Sequence, residues 1–264
     1  MNRTPSAATA FSVVLISVLL AALLTATVGL VFGVESGEKT LVYLSIFIGQ
    51  GFMAVPLLFY LHSQGISFRR SLRLNPVGSV TVLATVLVAV GAVFIADELD
   101  RLVSLIFPAA DSLMQIGQVL IVDSALSAII LFIGLGILAP IGEELLFRGY
   151  LQGFLEEHWQ DVTRAVLVTA MAFALAHMNP FWLVQAYLMG VLLGYLTWRT
   201  DSVLPAILLH GIYNAVALLI TNLQNVNTTL FLWGDHVSPL WLLLAAGLIV
   251  AGFKLIHKTL EAAR

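Results

Sequence analysis

The sequence predicts an all-α fold: a polytopic membrane helix bundle with about eight transmembrane helices. Of its 264 residues, 60% are hydrophobic and 10% are charged, and the mean hydropathy is +1.00. Soluble domains are about half apolar and a quarter charged. Apolar runs near the length needed to cross a bilayer, about 20 residues, also recur along the whole chain. Together these observations predict a single integral membrane domain over residues 1–264.

The apolar runs define the predicted spans in order. The first run, 11–33, exceeds the apolar region of a signal peptide and lacks a convincing small-residue cleavage site, so we interpret it as a retained span. The eight predicted spans are 11–33, 41–61, 77–96, 119–141, 165–176, 181–198, 203–221 and 239–256. They group into N-terminal spans (1–118), a core (119–221) that holds the polar residues considered below, and an outer loop with the last span (222–264).

Two longer connections separate these spans. The acidic segment 97–118 is expected to be an outer loop with a short interfacial helix. The polar segment 222–238 is the second outer loop, and its Asn227-Thr228-Thr229 triplet matches a glycosylation sequon that is common by chance. Neither segment is expected to carry chemistry.

The basic residues predict the orientation, because Lys and Arg concentrate in cytoplasmic connections. With a cytoplasmic N-terminus, ten of the 12 Lys and Arg residues fall inside, and only Lys39 and Arg101 fall outside. We therefore expect both termini in the cytoplasm. Because no targeting signal follows the first span, we expect a prokaryotic plasma membrane as the location. No basic patch suggests nucleic acid as a partner, and the expected partner at this stage is the bilayer.

One segment of the second half is too short to cross the membrane. From Thr163 to His177 a helix covers about 21 Å, against roughly 30 Å of hydrocarbon. The turn around Met178-Asn179-Pro180 is therefore expected within the bilayer. Irregular backbone at that depth must be surrounded by protein or by a water-filled cavity. The sequence thus predicts an enclosed polar cavity beside His177.

The candidate functional residues are carboxylates, imidazoles and amides, because the chain has no cysteine for a disulfide, a thiolate metal site or a nucleophile. Helical spacing predicts an ion pair between Glu144 and Arg148 and turns Glu143 about 100° away from Glu144. Residues four apart share a helix face, which applies to His210 and Asn214. The three polar clusters are Glu143, Glu144 and Arg148; His177 and Asn179; and His210 and Asn214.

This set of groups is suited to hydrolysis. A buried carboxylate next to an imidazole can act as a general acid or base, and Asn and His side chains can donate hydrogen bonds to an oxyanion. Structural interpretations remain open: Glu144 and Arg148 as a helix-end ion pair, Asn179 as a turn residue, and His210 with Asn214 as polar contacts between helices. The glycine pair Gly190 and Gly194 favours close helix packing, while His62, His158, His236 and His257 lie in connections or near helix ends.

In order, the motifs Glu143-Glu144-x-x-x-Arg148, Phe173-x-x-x-His177 and His210-x-x-x-Asn214 resemble the CPBP intramembrane protease family. This family includes the CAAX prenyl endopeptidases and bacteriocin-processing or immunity proteins. The likeness covers about residues 138–217, whereas the first 120 residues match only as hydrophobic spans. The resemblance implies an eight-helix bundle whose cavity opens toward the cytoplasm and lipid, and which cleaves peptide bonds near or within the membrane. The substrate expected from the resemblance is a membrane-associated peptide or protein.

The resemblance also implies roles for the residues. Glu143 would activate water with His177 assisting, and His210 with Asn214 would stabilise the oxyanion. Glu144 and Arg148 would be supporting residues. We expect no cofactor and a metal-independent mechanism, since there is no His-Glu-x-x-His motif. The alternative is a zinc ion held by Glu143, His177 and His210.

Non-proteolytic functions are the competing hypotheses: a membrane scaffold or immunity factor, or a transporter. Transporters usually show broken helices in corresponding halves, and the sequence has no such symmetry. A scaffold has no need for Glu143, His177 and His210 to converge. One difficulty for the protease hypothesis is depth, because Glu143 follows a full-length predicted span and is expected near the cytoplasmic end.

Overall fold

The computed structural model describes residues 6–34, 39–107, 119–222 and 230–262. Six helical stretches in this part of the chain are long and apolar enough to cross a membrane, and the apolar helix Val162–Ala176 is shorter. The α-helices are α1 Ala7–Val28, α2 Lys39–Phe52, α3 Val55–Ser63, α4 Phe68–Ser71, α5 Ser79–Ile106, α6 Ala125–Ile133, α7 Ala139–Glu144, α8 Gly153–Trp159, α9 Val162–Ala176, α10 Leu183–Thr200, α11 Leu204–Asn222 and α12 Pro239–Ala262. Three π-helical segments, Gly29–Val34, Gly134–Leu138 and Leu145–Gln152, extend or join them.

Helices occupy all eight predicted spans, which confirms the all-α polytopic bundle. Among the described residues, the one sheet is a small antiparallel hairpin within the predicted loop 222–238. Its strands are β1 Leu232–Trp233 and β2 His236–Val237. The sequon at 227–229 and the segment 108–118 lie outside the described residues.

The predicted end of the third span at residue 96 is wrong, because α5 continues to Ile106. The charged residues that suggested a loop are paired instead, one pair along the helix and one with a distant hairpin. Arg101 donates to Asp97 one turn earlier at 3.0 Å, and Glu98 accepts hydrogen bonds from the β-hairpin. Pairing of this kind lets a helix continue beyond its apolar run.

The predicted fourth span, 119–141, is also wrong in its bounds. The helical stretch begins at Ala125 and runs for 35 residues to Trp159, through two π-helical segments. Pro140 lacks the amide hydrogen that an α-helix requires, and a π-helical turn directly before it absorbs that irregularity. Glu143 therefore lies near the middle of a long helical stretch instead of at its end.

The short helix α9 ends at Ala176, as predicted, and the chain then turns. Met178 adopts a left-handed conformation with φ of 49°, and the side chain of Asn179 accepts a hydrogen bond from the amide of Phe181 at 3.0 Å. Asn179 is therefore a turn residue, in agreement with the structural interpretation of this position. The turn places His177 at the C-terminal end of α9.

Close helix packing depends on glycines, including the predicted pair. A Cβ atom added at Gly190 would lie 2.9 Å from Cβ of Ala170, and one added at Gly194 would lie 2.8 Å from Gln152. The same holds in the contact between α5 and α12. There a Cβ atom at Gly252 would lie 2.6 Å from Val88. Small residues at these points allow the helix axes to approach.

We expect the Gly252→Val substitution to lower the free energy of unfolding by about 1–3 kcal/mol, because the added side chain overpacks the contact between α5 and α12. The measurement is unfolding of the purified protein in detergent micelles. Gly247→Val is the matched control, since Gly247 lies on the same helix with no atom within 4 Å of an added Cβ. Equal losses in the two variants would contradict the prediction.

Candidate active site

The centre of the site is the carboxylate of Glu144, which is completely buried. Its Oε1 atom accepts a hydrogen bond from Nη1 of Arg148 at 2.9 Å and lies 2.8 Å from Nδ1 of His210. The ion pair with Arg148 has the i, i+4 spacing that the sequence indicates. The contact with His210 joins residues 66 positions apart, on α7 and α11.

The guanidinium group of Arg148 is also completely buried and connects the site to two more helices. Its Nη2 donates to the carbonyl oxygen of Gly190 on α10 at 3.3 Å. Its Cζ lies 4.1 Å from the ring centroid of Phe173 on α9, a cation–π contact. A buried charge is costly unless it is paired in this way, so the network fixes these helices relative to one another.

Phe173 forms an apolar wall between the two histidines. Its ring centroid lies 4.7 Å from that of His177 and 5.8 Å from that of His210, both in edge-to-face geometry. These contacts hold both imidazoles against the same aromatic ring. Phe173 is therefore the packing partner that orients them.

The hydrogen bond to Glu144 fixes the orientation of His210. Oε1 of Glu144 already accepts a hydrogen bond from Arg148, so Nδ1 of His210 is assigned as the donor to it. The other ring nitrogen, Nε2, then faces Oε2 of Glu143 at 3.9 Å. This separation is too long for a direct hydrogen bond. His210 thus lies between the two carboxylates and makes its short contact with the buried one.

Glu143 faces a cavity of about 200 Å³ that it shares with His177. Its side chain is 14% exposed, and its Oε2 atom is buried without a hydrogen-bond partner among the described residues. The ring of His177 is held by a hydrogen bond from Nδ1 to the carbonyl oxygen of Phe173 at 2.9 Å. The remaining lining residues are Val18, Ala21, Ala22, Thr25, Gly49, Gln50, Met53, Phe147, Ala176 and Met178.

The predicted cavity beside His177 is therefore present, but it is neither fully enclosed nor mainly polar. His177 is exposed at its edge, and most of the lining residues are apolar. The reason is that α1 and α2 supply one wall, and their facing residues come from apolar spans. Sequence motifs did not identify this wall. The one sequence feature that could have indicated it is an isolated polar residue within an apolar span, such as Gln50.

Asn214 lies one turn after His210 on α11 and faces the long helical stretch that contains Glu143. Its Nδ2 donates a hydrogen bond to the carbonyl oxygen of Leu135 at 3.0 Å. Leu135 belongs to a π-helical segment, in which backbone carbonyls are less regularly paired. One of the two amide hydrogens of Asn214 is thus used to hold α11 in place.

The trio Glu143, His177 and His210 does not form a metal site as placed. In the part of the chain that the structure describes, no group of three or more His, Asp and Glu side chains is arranged to hold a metal ion. Nδ1 of each histidine is engaged, one by the carbonyl oxygen of Phe173 and the other by the carboxylate of Glu144, which leaves Nε2 as the available nitrogen of each ring.

The helices that carry this site match a known family. Residues 125–216 match the family model described as "Type II CAAX prenyl endopeptidase Rce1-like". All six predicted site residues lie within the matched segment. The resemblance to the CPBP intramembrane protease family that the motifs indicate is confirmed over this segment, in a chain whose apolar helices are those of an integral membrane protein.

Among curated proteins, the chain is similar to the UPF0177 protein YbdI of Lactococcus lactis subsp. lactis (strain IL1403). The two are 33% identical over 99 residues, which cover 37% of this chain and 52% of the relative. The chain therefore matches about half the length of that protein, whose name states no activity. No solved structure matches the chain significantly.

We expect the Arg148→Met substitution to lower the free energy of unfolding by about 3–5 kcal/mol, because it leaves the buried carboxylate of Glu144 without its charge partner. The double variant Arg148→Met/Glu144→Leu should lose less than the sum of its single variants. Unfolding in detergent micelles measures all three. Arg69→Met is the control: Arg69 is exposed and makes no ion pair with described residues, so a change within about 0.5 kcal/mol is expected. Additive losses would show that the pair is not coupled.

Proposed function

We propose that this protein is an intramembrane endopeptidase in which Glu143 activates the water that hydrolyses a peptide bond. The observation that carries the proposal is the position of Glu143: it shares a cavity with His177, and its Oε2 lies 3.9 Å from Nε2 of His210. The match to a family described as endopeptidases supports the same reaction class. Peptide hydrolysis needs a base, an oxyanion stabiliser and a proton donor, and these side chains can supply them.

The proposed reaction begins when Glu143 accepts a proton from a water molecule as its oxygen attacks the carbonyl carbon of the scissile bond. The carbonyl oxygen becomes an oxyanion. Glu143 then returns the proton to the leaving nitrogen, and the carbon–nitrogen bond breaks. The result is one carboxylic acid and one amine, with no net proton gained by the enzyme. His177, at the same cavity, assists by orienting the water.

His210 and Asn214 are the proposed stabilisers of the oxyanion. With Nδ1 donating to Glu144, Nε2 of His210 can donate a hydrogen bond when the ring is an imidazolium, so we propose that His210 carries both ring protons before the water attacks and keeps them throughout the reaction. Glu144 stabilises this imidazolium, as a buried carboxylate does in other hydrolases. Asn214 has a second amide hydrogen beyond the one that it donates to Leu135. Glu144 and Arg148 therefore act as supporting residues.

The shared cavity favours a protease over a scaffold or immunity factor. A scaffold does not need an unpaired carboxylate oxygen and an imidazole to face the same cavity. An ionisable side chain that faces a cavity within an apolar bundle is a candidate functional group. We propose a protease over a transporter because the family that the segment matches is described as endopeptidases.

We propose a membrane-associated peptide or protein as the substrate and a prokaryotic plasma membrane as the location. We also propose that both termini are cytoplasmic, because most of the Lys and Arg residues then lie in cytoplasmic connections. Nucleic acid is not a proposed partner. Since the cavity is open at His177, a substrate chain can approach from that side.

We expect Glu143→Gln to abolish cleavage while leaving the fold intact, because the amide keeps the size of the carboxylate but cannot accept the proton. The assay is the hydrolysis, by purified protein in liposomes, of a library of palmitoylated peptides with random sequences between a fluorophore and a quencher. Removal of a general base typically lowers the rate by about 10²–10⁴-fold.

Glu157→Gln is the matched control for this experiment. Glu157 lies on the same helical stretch, its side chain is exposed, and it lines neither the cavity nor the network around Glu144. The control should cleave the library as the wild type does. If folded Glu143→Gln cleaved the library at the wild-type rate, the assignment of Glu143 as the base would be wrong. Substrates can then be identified as the membrane peptides that accumulate in cells producing the inactive variant.

We propose that the reaction needs no metal, because Glu143 itself can activate the water. Dialysis against a chelator is therefore expected to leave the cleavage rate within about twofold of its starting value, an effect much smaller than the loss of a general base. Subsequent addition of zinc should not raise the rate. Activity that disappears with the chelator and returns only with zinc would overturn this part of the proposal.

A further inference from the structure

Gln50 is a polar residue at the candidate site that lies outside the segment matched by the family. It is near the end of α2, and its side chain lines the cavity that contains Glu143 and His177. Its neighbours along the span are mostly apolar. A carboxamide at this position in a membrane helix therefore needs a physical explanation.

The backbone holds Gln50 close to Glu143. A Cβ atom added at Gly142, the residue before Glu143, would lie 3.5 Å from the carbonyl oxygen of Gln50 and 3.2 Å from Cβ of Met53. Helices α2 and α7 thus pack nearly backbone to backbone at this point. Gln50 is a fixed part of the cavity wall.

The side chain of Gln50 makes no hydrogen bond within the part of the chain that the structure describes. Its Oε1 atom is buried and has no partner there, as is also true of Oε2 of Glu143. Thr25, another polar residue of the wall, donates its hydroxyl to the carbonyl oxygen of Ala21 at 3.0 Å. Gln50 is therefore not used to join helices, which is the usual structural role of such a residue in a membrane bundle.

A carboxamide matches the hydrogen-bonding groups of a peptide bond. It offers an acceptor and donors side by side, whichever way the amide is oriented. A peptide chain that enters an apolar cavity must find partners for its N–H and C=O groups. We propose that Gln50 binds a main-chain peptide group of the substrate next to the bond that Glu143 hydrolyses. This inference rests on the proposed function.

The proposed contact recognises the backbone and not the side chains of the substrate. It assigns to α2 a part of substrate binding that the residues of 125–216 do not supply. Such a contact acts mainly on binding, because it forms before the reaction and persists during it. Its loss should raise KM with little change in kcat.

The test is Gln50→Met, which keeps the length and the unbranched shape of the side chain and removes its hydrogen-bonding groups. For library peptides that the wild type cleaves, we expect KM to rise roughly tenfold, about 1.4 kcal/mol, and kcat to stay within about twofold. The melting temperature in detergent should not fall, because Oε1 has no partner to lose. Gln64→Met is the matched control: Gln64 is exposed at the end of α3, and KM should not change.

Binding without cleavage separates this inference from the proposed function. Retention of the uncleaved library peptides is measured on Glu143→Gln and on Glu143→Gln/Gln50→Met, and the second protein should retain roughly tenfold less. Wild-type cleavage, together with an unchanged KM for Gln50→Met and equal retention on the single and double Glu143→Gln variants, would overturn the role of Gln50 alone. Retention that depends on Gln50 without any wild-type cleavage would overturn the proposed function alone. A fall in both kcat and melting temperature would show that Gln50 is structural.

Discussion

The arrangement of this protein depends on one buried carboxylate. Glu144 accepts a hydrogen bond from Arg148 and contacts His210, while Arg148 reaches Gly190 and the ring of Phe173. Four helices therefore meet at a single ionic group. In an apolar bundle the hydrophobic effect does little to choose between helix positions, because lipid is as apolar as the helix surface. A buried charge does favour particular helix positions, namely those that keep it paired, since losing its partner costs several kcal/mol.

The two adjacent carboxylates serve different purposes because the helix turns them apart. Glu144 points into the network, and Glu143 points into the cavity with His177. His210 lies between them, with its short contact on the Glu144 side. The network around Glu144 can thus orient the imidazole of His210 toward Glu143, whose Oε2 atom has no hydrogen-bond partner among the described residues. This division resembles the general arrangement of hydrolases, in which one group orients the histidine and another meets the substrate.

Local features of the sequence predicted a large part of this arrangement. The spacing of Glu144 and Arg148 gave their ion pair, and the short apolar run before His177 gave the end of α9. The bounds of two spans were wrong because an apolar run was taken to end where charge appeared. In the structure, Arg101 pairs along its own helix, and Glu143 lies within a helical stretch that continues to Trp159. Charge that is satisfied locally or by a neighbouring helix does not end a helix.

By itself, the sequence determined that this is a membrane protein of eight apolar helical regions, and it identified the polar residues available for chemistry. These properties depend on composition and on spacing within one helix, which can be read locally. The tertiary structure alone decided that His210 makes its short contact with Glu144, and that Gln50 from α2 faces the same cavity as Glu143. Those contacts join residues far apart in the chain, and they depend on how glycines and the buried ion pair let the helices pack.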